Sequence, residues 1–352
     1  MKNVVIAIII LCFAVSGIAQ EKPLTQAEYV KMLYALQKKP AGKPEIIEAL
    51  RKRGIEFVLT DGLRDLTRSK GANDDELKRA LEEADRRRQN PVAAKLPSEK
   101  EAAEIIEATR KKTLDAADEM PDFVVKELIS RSAAYAGTGN WKQMDTLAIA
   151  VSYSTEKGEQ YKVLAINGVP VDAEKGGNYG GLGGATTGGE FVEDLKRIFK
   201  PETQTEFKAV DTDVLRGRSS IVFEYSIKLE NNKGTGLGYK AANYESTPAG
   251  EIGKVWIDRA ENRVLRIEAH STEIPATFPI RAFQSTNEYD WVNIAGEKYL
   301  LPVLSDVKFT TKMSFGLVQD RNVIRFKNYQ KYGTDVVILD DDIKPEPAPK
   351  KP

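Results

Sequence analysis

The stretch IVFEYSIKL places Ile221, Phe223, Tyr225, Ile227 and Leu229 on one side of an extended chain, and Val222, Glu224, Ser226 and Lys228 on the other. A period of two over nine residues marks a half-buried antiparallel strand and excludes a helix there. From about residue 144 onward the chain repeats such stretches: TLAIAVSYST, QYKVLAIN, TEFKAVDTDVL, STNEYDWVNI, KYLLPVLSDVKFT and VIRFKNYQKY. KVWIDRAENRVLRIEAH reads as two strands around a polar turn at 259–263. Long strands joined by short turns predict one large antiparallel meander over 140–335, curled enough to bury one face.

Ahead of residue 144 the period is 3.6. Thr25 and Glu28 form a capping box before AEYVKMLYALQ, and Pro44 suits the first turn of PEIIEALRKR, which Gly54 can close. Thr60 precedes GLRDLTRSK, which Gly71 ends; Asn73 and Glu76 read as a second capping box before LKRALEEADRRR. Residues 24–90 are therefore expected to form a compact module of four helices, an imperfect duplication of one helix pair. Residues 22–96 carry 17 Lys and Arg against 12 Asp and Glu, and the run RRR at 86–88 is expected to lie on a solvated helix face. Residues 97–135 read as linking helices, the second opened by Pro121 and running through DFVVKELISRSAA. The fold class is α+β: an all-α module, then a curled antiparallel half-barrel covered by helices.

The first residues, MKNVVIAIIILCFAVSGIAQ, hold an apolar run of about twelve residues after Lys2. That length suits an export signal and is short for a membrane span. Gly17 and Ala19 supply small residues for cleavage before Gln20, so residues 1–19 are expected to be a signal peptide, with a retained anchor as the alternative. Cys12 is the only cysteine and lies inside that run. A chain processed there has no thiol for catalysis, disulfides or metal binding. The expected location is periplasmic or secreted. The tail at 340–352, rich in proline and charge, is expected to be disordered.

The glycine-rich stretch GGNYGGLGGATTGG at 176–189 invites a phosphate-site reading. No register gives G-x-G-x-x-G, because Thr186 stands at the third glycine, and Glu190 stands where a P-loop needs lysine. Glu190, Glu193 and Asp194 occupy the first turns of the next helix, where an anion would sit. Phe191, Leu195, Ile198 and Phe199 form a stripe at helical spacing. The stretch reads as a tether, and 190–199 as a helix laid on an apolar surface.

Other chemistry is thin. His270, the sole histidine, falls on the strand face opposite Leu265, Ile267 and Ala269, so it reads as a surface residue, and histidine-based zinc sites are excluded by count. Asp211 with Asp213, and Glu268 with Glu273, are acid pairs open to a hydrolase reading, though a chain with 52 acids offers many. Asp340–Asp342 lack the spacing of a calcium loop. No catalytic residue, metal ligand or cofactor is assigned. Charge is balanced at 52 against 52, which gives no field for nucleic acid. Phe223, Tyr225, Trp256, Phe278, Tyr289 and Trp291 concentrate aromatic surface on the strands. Such residues form a core or line an apolar cavity.

The stretches QYKVLAINGVPV, LRGRSSIVFEYSI, KVWIDRAENRVLRIE and GEKYLLPVLSDV, spread over about 150–330, resemble the LolA-like superfamily, which includes periplasmic lipoprotein carriers, LppX-type lipid carriers and RseB-type sensors. The resemblance implies an incomplete barrel, helices over its open mouth and an apolar ligand inside. Helical modules like the one at 24–90 precede other domains in bacterial exported proteins. On this reading the chain is a non-enzymatic binding protein for a lipid or other apolar ligand. Its ligand-binding residues would be Phe191, Leu195, Phe199, Phe223, Tyr225 and Trp256, gated by helix 190–199. The alternative is a scaffold of the cell envelope whose helical module binds a protein partner.

Overall fold

A computed structural model describes residues 22–91, 94–171, 179, 182, 191, 193–232, 236–240 and 244–333. The expected export signal, most of the glycine stretch including Glu190, and the tail lie outside the described residues. No helix among the described residues is long and apolar enough to cross a membrane.

Four helices come first: α1 (Gln26–Ala35), α2 (Lys43–Arg53), α3 (Asp61–Lys70) and α4 (Asp75–Gln89). Their boundaries follow from local chemistry. Thr25 and Glu28 close a capping box on α1, Gly54 ends α2 at φ 67°, and the Thr60 hydroxyl accepts from the Leu63 amide. The cap of α4 departs from expectation by one residue: Asp74, not Asn73, accepts from the Leu77 amide. Asn73 instead takes a left-handed conformation at φ 58°, a task asparagine tolerates. The module has its own core, built from Leu24, Tyr29, Leu33, Ile46, Leu50, Leu63, Leu77 and Leu81 among others. A long helix α5 (Glu99–Asp118), opened by a Ser98–Glu101 capping box, leads to the sheet.

The sheet has eleven antiparallel strands: β1 (Phe123–Tyr135), β2 (Lys142–Ser154), β3 (Gly158–Ile166), β4 (Val169–Pro170), β5 (Glu206–Leu215), β6 (Arg218–Ile227), β9 (Gly250–Asp258), β10 (Val264–Thr272), β11 (Ile280–Ile294), β12 (Glu297–Met313) and β13 (Gly316–Lys331). A separate hairpin, β7 (Leu237–Lys240) with β8 (Tyr244–Thr247), sits between β6 and β9 in the chain. The spatial order is β4-β3-β2-β1-β13-β12-β11-β10-β9-β6-β5. Every neighbour is a hairpin partner except at β1–β13, which pairs the first strand with the last, and β6–β9, which spans the small hairpin. The edges β4 and β5 do not pair, so the sheet curls without closing. Between β3 and β5 the chain crosses the inner face of the curl through the short helix α6 (Glu193–Arg197).

Residues 123–135 correct the expected second linking helix: they form β1, in register with β2 on one side and β13 on the other. Phe123, Val124, Val125, Leu128 and Ile129 have spacing that fits a helix as well as a strand. The expected alternation is missing because β1 lies mid-sheet and Phe123–Glu127 are buried on both faces, with a register shift between Val124 and Lys126. The change to period two therefore comes at residue 123, not 144.

Candidate functional site

The inner face of the sheet carries two apolar clusters. One is built on β1, β2, β3 and β13, with Phe123, Val125, Ile149, Val151, Val163, Ile324 and Phe326. The other lies on β6, β9, β10 and β11, with Ile221, Phe223, Tyr225, Val255, Ile257, Ile267 and Tyr289. Helix α5 covers both, sending Ile106 into the second and Ala117 toward the first. The segment around α6 does the same. Phe191 enters the first cluster, edge-on to Phe123 at 5.4 Å and to Phe326 at 5.2 Å between ring centroids. Leu195, Ile198 and Phe199 enter the second, where Phe199 stacks on Phe207 at 5.6 Å. Phe191, Ile198 and Phe199 are all 0 % exposed. The four side chains of the expected stripe thus lie on the sheet, but the helix expected over 190–199 narrows among the described residues to Glu193–Arg197: only Leu195 of the four is helical, and Phe191, Ile198 and Phe199 stand in the chain on either side of it.

Beneath α6 the apolar lining is broken by a buried polar network. Tyr225 donates its hydroxyl to Glu251 at 2.7 Å, and the other Glu251 oxygen pairs with Arg197 at 2.8 Å. Arg197 reaches Asp194 at 3.8 Å, Asn287 donates to Asp194 at 3.3 Å, and Ser305 donates to Asn287 at 2.7 Å. These six residues come from α6, β6, β9, β11 and β12. The Tyr225 ring lies over Gly253, where a Cβ would fall 2.6 Å from the Tyr225 ring. Only glycine gives Tyr225 the room to reach Glu251 along the sheet. Burial raises the Tyr225 hydroxyl well above its ordinary value, and the Glu251 charge adds to that. Burial disfavours the charge of Arg197, yet Glu251 and Asp194 outweigh it and hold the guanidinium above its usual value. Burial pushes the Asp194 carboxyl up to about 6, with Arg197 opposing and Glu251 reinforcing. About a third of the Asp194 side chain, 34 %, stays accessible, so water damps that effect.

Five of the six residues expected to bind ligand meet on this face: Phe191 in one cluster, and Leu195, Phe199, Phe223 and Tyr225 in the other. Trp256 does not. It stands on the opposite face of β9 with Val222, Leu215 and Leu265, donates its indole N–H to Asp213 at 2.8 Å, and has the Arg266 guanidinium 5.3 Å above its ring. Strand alternation decides this: Val255 and Ile257 point inward, so Trp256 points out. The polar network was legible only in part. Asp194 sits three residues after Phe191 and four before Ile198, inside the apolar stripe of the helix, and an acid at such a position signals a buried partner.

The helical module docks on the outer face and along the edge strand β5. Arg87 pairs with Asp211 and donates to the Thr212 carbonyl at 3.0 Å; Arg51 reaches Asp211 at 3.6 Å and Arg79 reaches Asp213 at 3.8 Å. Glu83, itself bound by Arg86 and Arg87, accepts from the Thr212 hydroxyl. The expectation of a solvated RRR run is corrected in part: Arg86 and Arg87 face the sheet, because β5 presents the Thr212 hydroxyl to one and Asp211 to the other. The acid pair Asp211 and Asp213 is engaged there, and Glu268 is held by Arg266 at 2.6 Å. His270 is exposed beside an open groove of about 630 Å³ that Glu224, Lys254 and Glu268 also line.

No protein-family model matches the chain, and no curated protein sequence does. Among solved structures, it is similar to a LolA superfamily protein from Nitrosomonas europaea, at 11 % identity and a TM-score of 0.25, over 67 % of this chain and 97 % of that one. A DUF1329 family protein from Desulfovibrio piger gives 10 % identity and a TM-score of 0.28 over 68 % and 97 %. The Pseudomonas aeruginosa MucA/MucB complex gives 10 % identity and a TM-score of 0.18 over 63 % and 94 %. At these identities and TM-scores the similarities say nothing about function, which rests on this chain's own residues.

Proposed function

We propose that the chain is an exported, non-enzymatic binding protein that takes up an apolar ligand, of fatty-acyl character, between the inner face of its half-barrel and the segment Phe191–Phe199. The observation that carries this reading is the occupancy of that face. A helix of only five residues, α6, is held there by three completely buried apolar side chains flanking it or just beyond it, and a stretch with eight glycines precedes it in the sequence. The side chains that Phe191, Ile198 and Phe199 touch are those an acyl chain would touch once they lift away.

The energies are commensurate. Exposing three such side chains costs about 5–9 kcal/mol, and each buried methylene contributes about 0.8 kcal/mol. An acyl chain of about twelve carbons or more offsets even the larger cost, whereas one of fewer than about six leaves the helix in place. Site residues on this reading are Phe191, Leu195, Phe199, Phe223 and Tyr225, with Trp256 supporting the sheet from behind.

Helix α6 can be tied shut to test this. Lys196 meets Asp118 of α5 at 3.1 Å, so Lys196→Cys with Asp118→Cys places two thiols on either side of that contact, in a processed chain expected to have none, for a short thiol-reactive linker that reductant cleaves; the linked protein is the oxidised state and the cleaved one the reduced state. The reduced protein should take up a fluorescent long-chain fatty acid, and native mass spectrometry should find acyl compounds carried from the cell. The oxidised protein should bind none until reductant is added. Equal uptake in both states would overturn the gating, and no uptake in either would overturn the ligand class.

A further inference from the structure

Exposed large apolar side chains are not spread evenly over the molecule. Six of them, Tyr135, Met144, Val169, Met313, Phe315 and Leu317, lie at or beside the turns of β1–β2, β3–β4 and β12–β13, all at one end of the sheet. The two long hairpins form one tip. The Ala136 amide donates to the Leu317 carbonyl at 3.0 Å, and the rings of Tyr135 and Phe315 meet edge-on with centroids 6.4 Å apart. These two rings are 62 % and 66 % exposed. Trp141, half-buried, stands on the same tip with the Arg321 guanidinium 5.7 Å from its ring.

The charge of this tip has one sign. Residues 135–144 and 312–319 contain Lys142 and Lys312, both exposed, and no Asp or Glu. In these two hairpins the next acids along the strands are occupied or partly withdrawn: Asp145 is bound through both oxygens by Arg131, and Asp320 is half-buried. Aromatic side chains on projecting turns, flanked by lysine and free of acid, match the chemistry of a membrane interface. Aromatic rings settle at headgroup depth, and lysine is attracted by anionic lipid. A bilayer surface accepts such protruding points.

We infer that the β1–β2 and β12–β13 tips form a docking surface for an anionic lipid bilayer. The inference stands apart from the lid: it requires neither a cavity nor motion of α6.

Vesicle flotation tests it, using the chain from Gln20 onward, the form expected after export. Vesicles of phosphatidylcholine with an equal part of phosphatidylglycerol should carry the protein, and pure phosphatidylcholine should carry much less. Each lysine near an anionic surface strengthens binding about fivefold, so Lys142→Glu with Lys312→Glu should weaken binding to the mixed vesicles by about twentyfold or more. Tyr135→Ser with Phe315→Ser should weaken it about tenfold or more, by loss of buried apolar area. All four side chains are exposed, so both variants should keep the thermal midpoint of the parent. A readout without those variants is quenching of tryptophan by brominated lipid, which Trp141→Phe should abolish. Absence of flotation, or equal flotation of parent and both variants, overturns the proposal. So does a dimer in sedimentation that Phe315→Ser dissolves while vesicles bind nothing, since the surface would then serve a second copy of the chain.

Discussion

The two faces of the sheet are covered by helices under different rules. On the inner face α5 and the α6 segment have no core of their own; their apolar side chains complete clusters that the strands begin. On the outer face the α1–α4 module brings a finished core and meets β5 largely through charge: Arg87 with Asp211, Arg79 with Asp213, and Glu83 with Thr212. A cover that shares a core should rise and fall with the sheet. A cover that owns its core and is attached by ion pairs should be able to part from it. The difference locates where motion is cheap to modulate, and it separates the two readings of function: the inner cover would gate a ligand, and the outer cover would present a partner surface.

The largest expected effect breaks the shared core. Phe223 is 1 % exposed at the centre of the second inner cluster. Phe223→Ala should lower the stability of the sheet by about 3–5 kcal/mol. Trp141, Trp256 and Trp291 are the only tryptophans and all lie on or beside the strands, so denaturant unfolding followed by fluorescence reads the sheet alone. Hydrogen exchange in α1–α3 reads the module. The fluorescence midpoint should fall steeply while protection of the module stays near that of the parent. If both fall together, the outer contact is as cooperative as the inner one and the contrast fails.

A smaller effect is expected on the outer contact itself. Arg87 keeps 22 % of its side chain accessible and Asp211 13 %, between the surface case and the buried one. Arg87→Ala should cost about 1–3 kcal/mol of attachment, with a smaller loss in the module's own melting, because Arg87 also donates to the Arg51 carbonyl at 2.9 Å within the module. Limited proteolysis between α4 and α5 measures this: cleavage should speed up in the variant, and in the parent when salt is raised, since salt screens such pairs. An unchanged rate would move the attachment to the apolar contacts around Val210, Leu215 and Trp256.

Much of this architecture was legible in the sequence, for identifiable reasons. Strands β5, β6 and β9 to β13 are polar on one side over part of their length, so alternation shows; caps at Thr25, Thr60 and Gly54 use side chains or backbone angles with few alternatives. Each failure has its own cause. β1 is paired on both sides and covered on both faces, which removes the periodic signal. Arg86 and Arg87 read as solvent-facing because their partners on β5, Thr212 and Asp211, are more than a hundred residues away. Trp256 carried composition without direction; its face follows from parity once the register of β9 is known. The inner polar network has five elements converging on Arg197 and its neighbours, and no local pattern records that convergence.

The smallest effect concerns that network and has a definite sign. Asp194 is raised from 3.8 to about 6 in the folded chain, first by burial and then by Glu251, against the pull of Arg197 and Asn287. The folded state therefore holds the proton more tightly than the unfolded state. Below about pH 4 both states are protonated and nothing is lost. As pH rises toward 6 the unfolded chain gives up the proton first, so this group's contribution to stability declines across that window and is level above it. Because a third of the side chain is accessible, the slope should be shallow. Asp194→Asn keeps the shape and removes the titration, so the parent-minus-variant stability difference should fall between about pH 4 and 6. The same ionisation loosens α6, which is otherwise held by the Arg197–Glu251 and Lys196–Asp118 pairs and by apolar side chains. If Phe191–Phe199 gates the inner face, ligand uptake by the parent should quicken over that window and uptake by Asp194→Asn should not. A difference curve that rises with pH would mean that Arg197 holds Asp194 ionised throughout. The network would then lock the inner cover at every pH, and the two covers would differ in chemistry without differing in freedom.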